Sequence, residues 1–313
     1  MSSEQALVAA VDIGGTKIAG ALVGAEDGRL SRRTRRPTPA AEPGEAVFAA
    51  VAEVLAELAG APEWARVERV GLGSAGPVDG LRGLVSPVNI TGWRDFPLVA
   101  RVRELVPGLP VVLTGDGVAM TAAEHWQGAA RGHRNALCMV VSTGVGGGLV
   151  LDGALHPGPS GNAGHIGHIS VDLDGAPCPC GGRGCLEGLA SGTAIAARAA
   201  AAGWRPAGDD ASATAVAAAA GQGDPIALAA FDRAAQALAA GIAATAALVE
   251  LEVVVIGGGV AQSGEVLFGP LRTWLGSYAT LSFVQGLEVR PALLGGEAGL
   301  VGAAAAAIRA AGR

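Results

Sequence analysis

Between Ser160 and Glu187 the chain reads SGNAGHIGHISVDLDGAPCPCGGRGCLE, so two of its five histidines (His165, His168) and three of its four cysteines (Cys178, Cys180, Cys185) share one short stretch. The pattern His-x9-Cys-x-Cys-x4-Cys, starting at His168, supplies one imidazole and three thiolates, a complete tetrahedral ligand set for zinc. Four protein ligands leave no open position for water, so a metal held this way is structural rather than catalytic. The plainer reading is a group of reduced cysteines with no metal. The glycines between the ligands suit the tight turns of a metal knuckle and favour the metal. Such a site would hold His165 and Glu187 in fixed positions on either side of it.

Three glycine turns carry the second kind of chemistry. An apolar strand, ALVAAVDI (Ala6 to Ile13), ends in Gly14-Gly15-Thr16-Lys17, and Lys17 is the only lysine in the chain. Backbone N–H groups and a hydroxyl in such a turn form a concave donor surface for phosphate oxygens. Asp12 beside it suits a magnesium-bound water, since Mg2+ usually binds through one or two carboxylates plus phosphates. A glycine hairpin with no ligand is the common alternative for a single turn of this kind. The motif recurs, however, as Ser142-Thr143-Gly144-Val145-Gly146-Gly147-Gly148 after the strand ALCMVVS, and Gly257-Gly258-Gly259 follows a third strand, where a flat adenine can approach the backbone. None of the three fits the dinucleotide fingerprint or the Gly-x4-Gly-Lys-Ser/Thr loop.

Phosphoryl transfer needs positioned donors, a metal and an aligned nucleophile with a carboxylate to take its proton. Asp116 follows the strand LPVVLT (Leu109 to Thr114) and precedes a helix expected over 118–127, at the strand end where α/β sheets place chemistry. It reads equally as the N-cap of that helix, and the two roles are compatible.

The elements that would position these groups alternate strand and helix. The unit of strand, glycine turn and strand appears at 6–23 and again at 136–151, which suggests two related halves. Val47, Val51, Val54, Leu55 and Leu58 have helical spacing over 45–59. The segment 81–93, with Gly, Pro and Asn at close intervals, reads as a long surface loop. Ala-rich helices follow over 191–248, with breaks near 203–210 and 221–225, and a last Ala-rich helix over 299–313 is placed against the first domain. At 313 residues there is room for two domains, with cores built mainly from Ala, Val and Leu because aromatics are only 4%. The net charge of −6 argues against nucleic-acid and anionic-membrane partners. The first fifteen residues have neither a basic segment nor a long apolar one, so no signal peptide is expected. The apolar run 234–249 falls short of a membrane span and reads as a buried helix. Cytoplasmic localisation is expected.

Taken together, VDIGGTKIAGALV, GSAGPVDG, SPVNITGW, GDGVAMTAAEHWQGAARG, VSTGVGGGLVLDG, GNAGHIGHISVDLDGAPCPCGGRGCLEGLASG and VVVIGGGV resemble the ROK family of sugar kinases and repressors, within the actin/hexokinase ATPase superfamily. The resemblance implies an α/β fold of two ribonuclease-H-like domains with a cleft between them. The domains are expected at 1–117 with a C-terminal helix 298–313, and at 118–297 with the zinc site. It implies ATP phosphates near Asp12, Gly14, Gly15, Thr16, Lys17, Thr143, Gly144 and Gly146, with Gly257, Gly258 and Gly259 also serving the nucleotide. It places a sugar against Asn89, Asp116, His168 and Glu187, with His165 beside them, and makes zinc the metal of His168, Cys178, Cys180 and Cys185. Homodimers, or dimers of dimers, are expected. The repressors of the family carry a helix-turn-helix domain ahead of the kinase-like part; here the first phosphate motif starts at residue 12, which disfavours that branch.

The expected activity is therefore ATP- and Mg2+-dependent phosphorylation of a hexose 6-hydroxyl, of glucokinase type. The alternatives are a kinase for fructose, mannose or an N-acetylhexosamine, and a non-catalytic sugar-binding regulatory protein. Three departures bear on the sugar. The family's usual Asn-Asp-Ala-Asn is here Gly115-Asp116-Gly117-Val118, its usual Ala-Gly-Glu is Ala163-Gly164-His165, and Ser142 stands where glycine is usual. Gly115 supplies no side-chain amide. An imidazole at 165 accepts through one nitrogen at most, where a carboxylate would accept twice.

Overall fold

The computed structural model describes residues 5–310. They divide into two compact units, the first comprising residues 5–131, 155–163 and 296–310, the second 132–154 and 164–295.

The first unit contains β1 (Leu7–Ile13), β2 (Lys17–Gly24), β3 (Leu30–Pro37), α1 (Gly44–Ala59), β4 (Val67–Ser74), a two-strand ribbon of β5 (Val78–Asp79) and β6 (Leu84–Val85), α2 (Leu98–Leu105), β7 (Val111–Gly115), α3 (Asp116–Gln127) and, from the end of the chain, α9 (Ala298–Ala310). Its sheet runs β3-β2-β1-β4-β7. The first three strands are antiparallel, and β4 and β7 add in parallel. Alternation along β1 gives both faces a cover. Ala9, Val11 and Ile13 pack with Val47, Val51 and Val54 of α1, while Val8 and Ala10 face Leu300, Ala303 and Ala304 of α9. The small residues of α9 let it lie unusually close. A Cβ at Gly302 would strike the Ala119 carbonyl of α3, and one at Gly71 of β4 would strike the Ala303 carbonyl. This contact is why α3, expected in the second domain, belongs to the first unit, whose main stretch ends after Arg131 rather than after Gly117.

The segment 81–93 is not a surface loop throughout. Ile90 and Trp93 are fully buried. The Trp93 ring stacks on Phe96 with centroids 4.8 Å apart, and its Nε1–H donates to the Gly44 carbonyl at 2.9 Å. Two anchors among turn residues leave no periodic pattern to read. At the sheet edge, β3 (LSRRTRRP) carries Arg32 and Arg36 paired with Glu63 and Glu57 at 2.8 Å each. Exposed pairs of this kind add little stability, but a charged edge discourages pairing with another chain.

The second unit repeats the plan. It contains β8 (Ala136–Val141), β9 (Val145–Leu151), the start of β10 (Ala154–His156), α4 (Glu187–Ala190), α5 (Gly192–Ala201), α6 (Ala213–Gly221), α7 (Pro225–Val249), β11 (Val253–Gly257), α8 (Glu265–Tyr278) and β12 (Glu288–Pro291). Its sheet runs β10-β9-β8-β11-β12, with β8 and β9 antiparallel and β11 and β12 parallel to β8 and to each other. Both sheets thus have the ribonuclease-H-like order, and the repeat seen at 6–23 and 136–151 is the first hairpin of each. Helix α7 is capped by Asp224, whose side chain accepts the N–H groups of Ile226 and Ala227. It is longer than the apolar run suggested and, by length and composition, sufficient to cross a bilayer. Its residues Ala227, Phe231, Ala234, Leu238 and Ile242 are instead buried in the core of this unit.

Candidate active site

In the first unit the β1–β2 hairpin closes on Gly14, whose N–H donates to the Lys17 carbonyl at 3.0 Å. Thr38 holds the same turn from outside: its hydroxyl donates to the Gly14 carbonyl at 2.7 Å and its N–H to the Thr16 carbonyl at 3.1 Å. Gly15 and Thr16 stay accessible at the tip, and Lys17 is exposed at the start of β2. Asp12, on β1 just before the turn, packs against Gly299 in the first turn of α9, where a Cβ would collide with its carboxylate. Burial, and then the nearby Asp116 charge, push the Asp12 carboxyl up to about 6, with Lys17 pulling the other way. Asp116 is the first residue of α3, immediately after β7. The helix therefore begins two residues earlier than expected, and the exposed carboxylate sits at its positive end. Its Oδ1 accepts the Gly117 N–H at 2.7 Å, which fixes the side chain's direction.

In the second unit the matching turn is Ser142-Thr143-Gly144, closed by the Ser142 N–H donating to the Gly144 carbonyl at 2.8 Å. Gly146 to Gly148, read from sequence as part of the turn, are strand residues of β9 paired with Cys138, Met139 and Val140. What their missing side chains permit is close approach. A Cβ at Gly147 would stand 2.9 Å from the Cys138 carbonyl and 3.2 Å from the Gly164 carbonyl, and one at Gly164 would stand 2.6 Å from the Gly148 Cα. A Cβ at Gly167 would strike the Val145 carbonyl. The segment bearing His165 and His168 is thereby laid directly on β9. The two imidazoles lie with centroids 6.0 Å apart and planes 17° from parallel. Glu187 heads α4, and its Oε2 accepts the Val145 N–H at 2.8 Å.

His168, Cys178, Cys180 and Cys185 present donor atoms that all lie within 4.8 Å of one another. Cys180 and Cys185 sulfurs are 3.6 Å apart, and the Cys178 sulfur is 3.8 Å from His168 Nδ1. Ligands 2.0–2.3 Å from one tetrahedral zinc would be separated by roughly 3.5–3.8 Å. The electrostatics agree. Burial and then the neighbouring thiols push Cys185 up to about 12, while the Gly182 N–H and the same neighbours lower Cys180. A cation bound among these sulfurs would offset the cost of ionising Cys185.

A cavity of about 590 Å3 opens in this unit beside the second turn. Ser142, Thr143 and Gly259 line it, joined by Thr193, Ala217 and Gln262 among others. Of the third glycine motif, Gly257 ends β11 and Gly258 turns with φ +92°, where a Cβ would collide with the Val141 carbonyl. Gly259 alone of the three reaches the cavity wall. The contributions of α5 and α6 were not legible, because Gly, Ala, Ser and Thr in Ala-rich helices have no distinctive signature.

The sequence profile of the ROK family matches residues 8–310. The chain belongs to the ROK family. Among curated ROK relatives, a glucokinase of Thermotoga maritima is 38% identical, the match covering 94% of this chain and 95% of that one. An N-acetylmannosamine kinase of Escherichia fergusonii is 41% identical over 80% of this chain and 82% of its own. Among solved structures, a ROK family glucokinase from Streptomyces griseus in complex with glucose and AMPPNP superposes with a TM-score of 0.82 at 36% identity, covering 97% of this chain and 99% of that chain. The two mixed sheets of this ROK chain are those of the family's actin-like ATPase fold.

Proposed function

We propose that the chain is an ATP- and magnesium-dependent hexose kinase of glucokinase type, acting on the sugar 6-hydroxyl. The observation that carries this reading is the Asp116 carboxylate, exposed and oriented at the β7–α3 junction, in a chain 36% identical to a glucokinase seen with glucose and a nucleotide analogue. In this reading Asp116 accepts the hydroxyl proton as the sugar oxygen bonds to the γ-phosphorus and the β–γ bridging P–O bond breaks, releasing ADP. The turns at Gly14–Lys17 and Ser142–Gly144 direct N–H groups and threonine hydroxyls to the phosphates, and the cavity beside Thr143 and Gly259 takes the base. Magnesium, bound with the nucleotide, supplies neutralisation of phosphate charge, and Asp12 is the carboxylate placed to hold its water. Asn89, His165, His168 and Glu187 orient the sugar. With Nδ1 committed toward the cysteines, His168 keeps Nε2–H as a donor for a hydroxyl. Cytoplasmic action and a homodimer complete the proposal.

The test is coupled ADP release over glucose, mannose, fructose and N-acetylmannosamine. Glucose is expected to give the highest kcat/KM; no ADP release with any hexose would overturn the kinase reading. A second reading, an N-acetylmannosamine kinase, is favoured by the Escherichia fergusonii relative, 41% identical to this chain. The same panel decides it.

We assign zinc to the cysteine knuckle, where it would supply structural cross-linking of 168–185. Elemental analysis of the purified chain should find about one zinc per chain, and Cys185→Ser should lower it several-fold with a fall in Tm, since ligand loss removes metal-linked folding energy. A wild-type chain isolated under metal-replete conditions without zinc would refute the assignment.

A further inference from the structure

Two residues assigned to the sugar also touch the phosphate turns, one in each unit. In the first unit the Asn89 amide lies on Gly15, such that a Cβ there would stand 2.5 Å from Asn89 Nδ2. In the second unit the Glu187 carboxylate lies on Gly144, where a Cβ would stand 2.5 Å from Oε2. Neither distance leaves room for a side chain, so each glycine is what allows the polar group to rest on the turn. The two arrangements occur at the same place in the repeated fold, the hairpin joining the first two strands of each sheet.

The second arrangement is the more tightly built. Glu187 Oε2 accepts the Val145 N–H, the Gly192 N–H donates to the Ser142 carbonyl at 2.7 Å, and the Thr193 hydroxyl donates to the Thr143 carbonyl at 3.1 Å. The stretch from Glu187 to Thr193 thus grips the turn at three successive positions, and Thr193 also lines the cavity. A carboxylate has two oxygens. With Oε2 engaged on the turn, Oε1 is the acceptor available to a sugar hydroxyl.

We propose that Glu187 and Asn89 are positioning residues for the phosphate turns as well as sugar ligands, so that hexose and nucleotide each strengthen the binding of the other. The proposal rests on the hexose-kinase reading. A hexose that bonds Oε1 holds the Glu187 carboxylate where its Oε2 accepts the Val145 N–H, and so favours the arrangement of the turn that the nucleotide phosphates meet. Linkage makes the effect reciprocal, so a change confined to the turn must be felt at the sugar.

The experiment uses the full chain with ATP and the fastest hexose of the panel. Glu187→Ala should raise the ATP KM at saturating hexose at least fivefold, together with the hexose KM. Glu187→Gln keeps a carbonyl acceptor for the Val145 N–H, and should return the ATP KM to within twofold of wild type while the hexose KM stays raised. Independently, Gly144→Ala should weaken hexose binding at least fivefold in calorimetry with no nucleotide present, because the new methyl displaces Glu187. An unchanged ATP KM in Glu187→Ala, or an unchanged hexose Kd in Gly144→Ala, would overturn the proposal. If Glu187→Ala proves unfolded by circular dichroism, Gly144→Ala decides alone. A wild-type chain that binds hexose without turnover sinks the kinase reading yet leaves the calorimetry to decide the coupling; one that binds no hexose sinks both.

Discussion

Replacing Asp116 by Asn should lower kcat by about 100- to 10,000-fold, the range that a positioned general base contributes, while leaving the ATP KM within about threefold. Asn is chosen over Ala for what it retains. The N-cap role expected of Asp116 from the sequence is not the one the structure gives it: Gly115 is the N-cap, Asp116 is the first helical residue, and its Oδ1 accepts the adjacent Gly117 N–H. Asn supplies an equivalent oxygen and is as good a residue at a helix start, so the variant keeps the local geometry and stability should move by less than about 1 kcal/mol. What it loses is the capacity to take a proton. A fall in kcat with Tm held therefore assigns the base, whereas a fall in Tm with kcat held would assign only a helix start. Asp116→Ala removes both roles and should show both effects. Retention of wild-type kcat in Asp116→Asn would remove the central residue of the proposed mechanism.

Legibility in the sequence followed how local the cause was. The two hairpins were readable because each is a single apolar run, a glycine turn and a second run, and their recurrence anticipated the second sheet. The four candidate metal donors were readable because they fall within 18 residues, close enough for spacing alone to suggest a knuckle, and the donors do converge. Three things escaped for one reason, that their meaning lies in a distant partner. Gly147, Gly164 and Gly167 look like phosphate-turn or loop glycines until β9 is seen to carry the histidine segment against it. Trp93 sits among turn residues, and only α1 and Phe96 make it core. The assignment of α3 to the first unit depends on Gly302, nearly two hundred residues away in α9. Gly115 and His165, which depart from the family's usual residues, belong to a fourth category. They are plain in the sequence, and the fold does not force Gly115: a Cβ there would make only ordinary contact with Val78, at 3.8 Å. The glycine is therefore not explained by packing.

Asp12→Asn should abolish phosphotransfer and at the same time stabilise the ligand-free chain above about pH 6. The carboxyl is raised from 3.8 to about 6, chiefly by burial and then by Asp116. A raised folded-state pKa means that the folded chain holds the proton more tightly than the unfolded chain does. The stability this confers is complete below about pH 4 and is lost as pH climbs through 6, so at neutral pH the folded protein carries the whole cost of an ionised Asp12. The shift corresponds to about 3 kcal/mol at most, and because Asp12 retains some exposure a gain of about 1–3 kcal/mol is expected. Asn is neutral throughout, so the difference in Tm between variant and wild type should be positive at pH 8, shrink from pH 6 to 4 and vanish below. Lys17 favours the charge, but burial and the Asp116 charge outweigh it. Adding ATP with magnesium reverses the order. Only the carboxylate gains from a bound cation's charge, so wild type should be stabilised by the addition substantially more than the variant. Equal stabilisation of both would show that Asp12 does not face the metal, and a Tm difference flat from pH 4 to 8 would show that its ionisation is not the source of the cost. A carboxylate retained at a site that penalises its charge is a stability–function trade, and the pH profile separates the two terms: the penalty is read without ligand, the use of the charge with it.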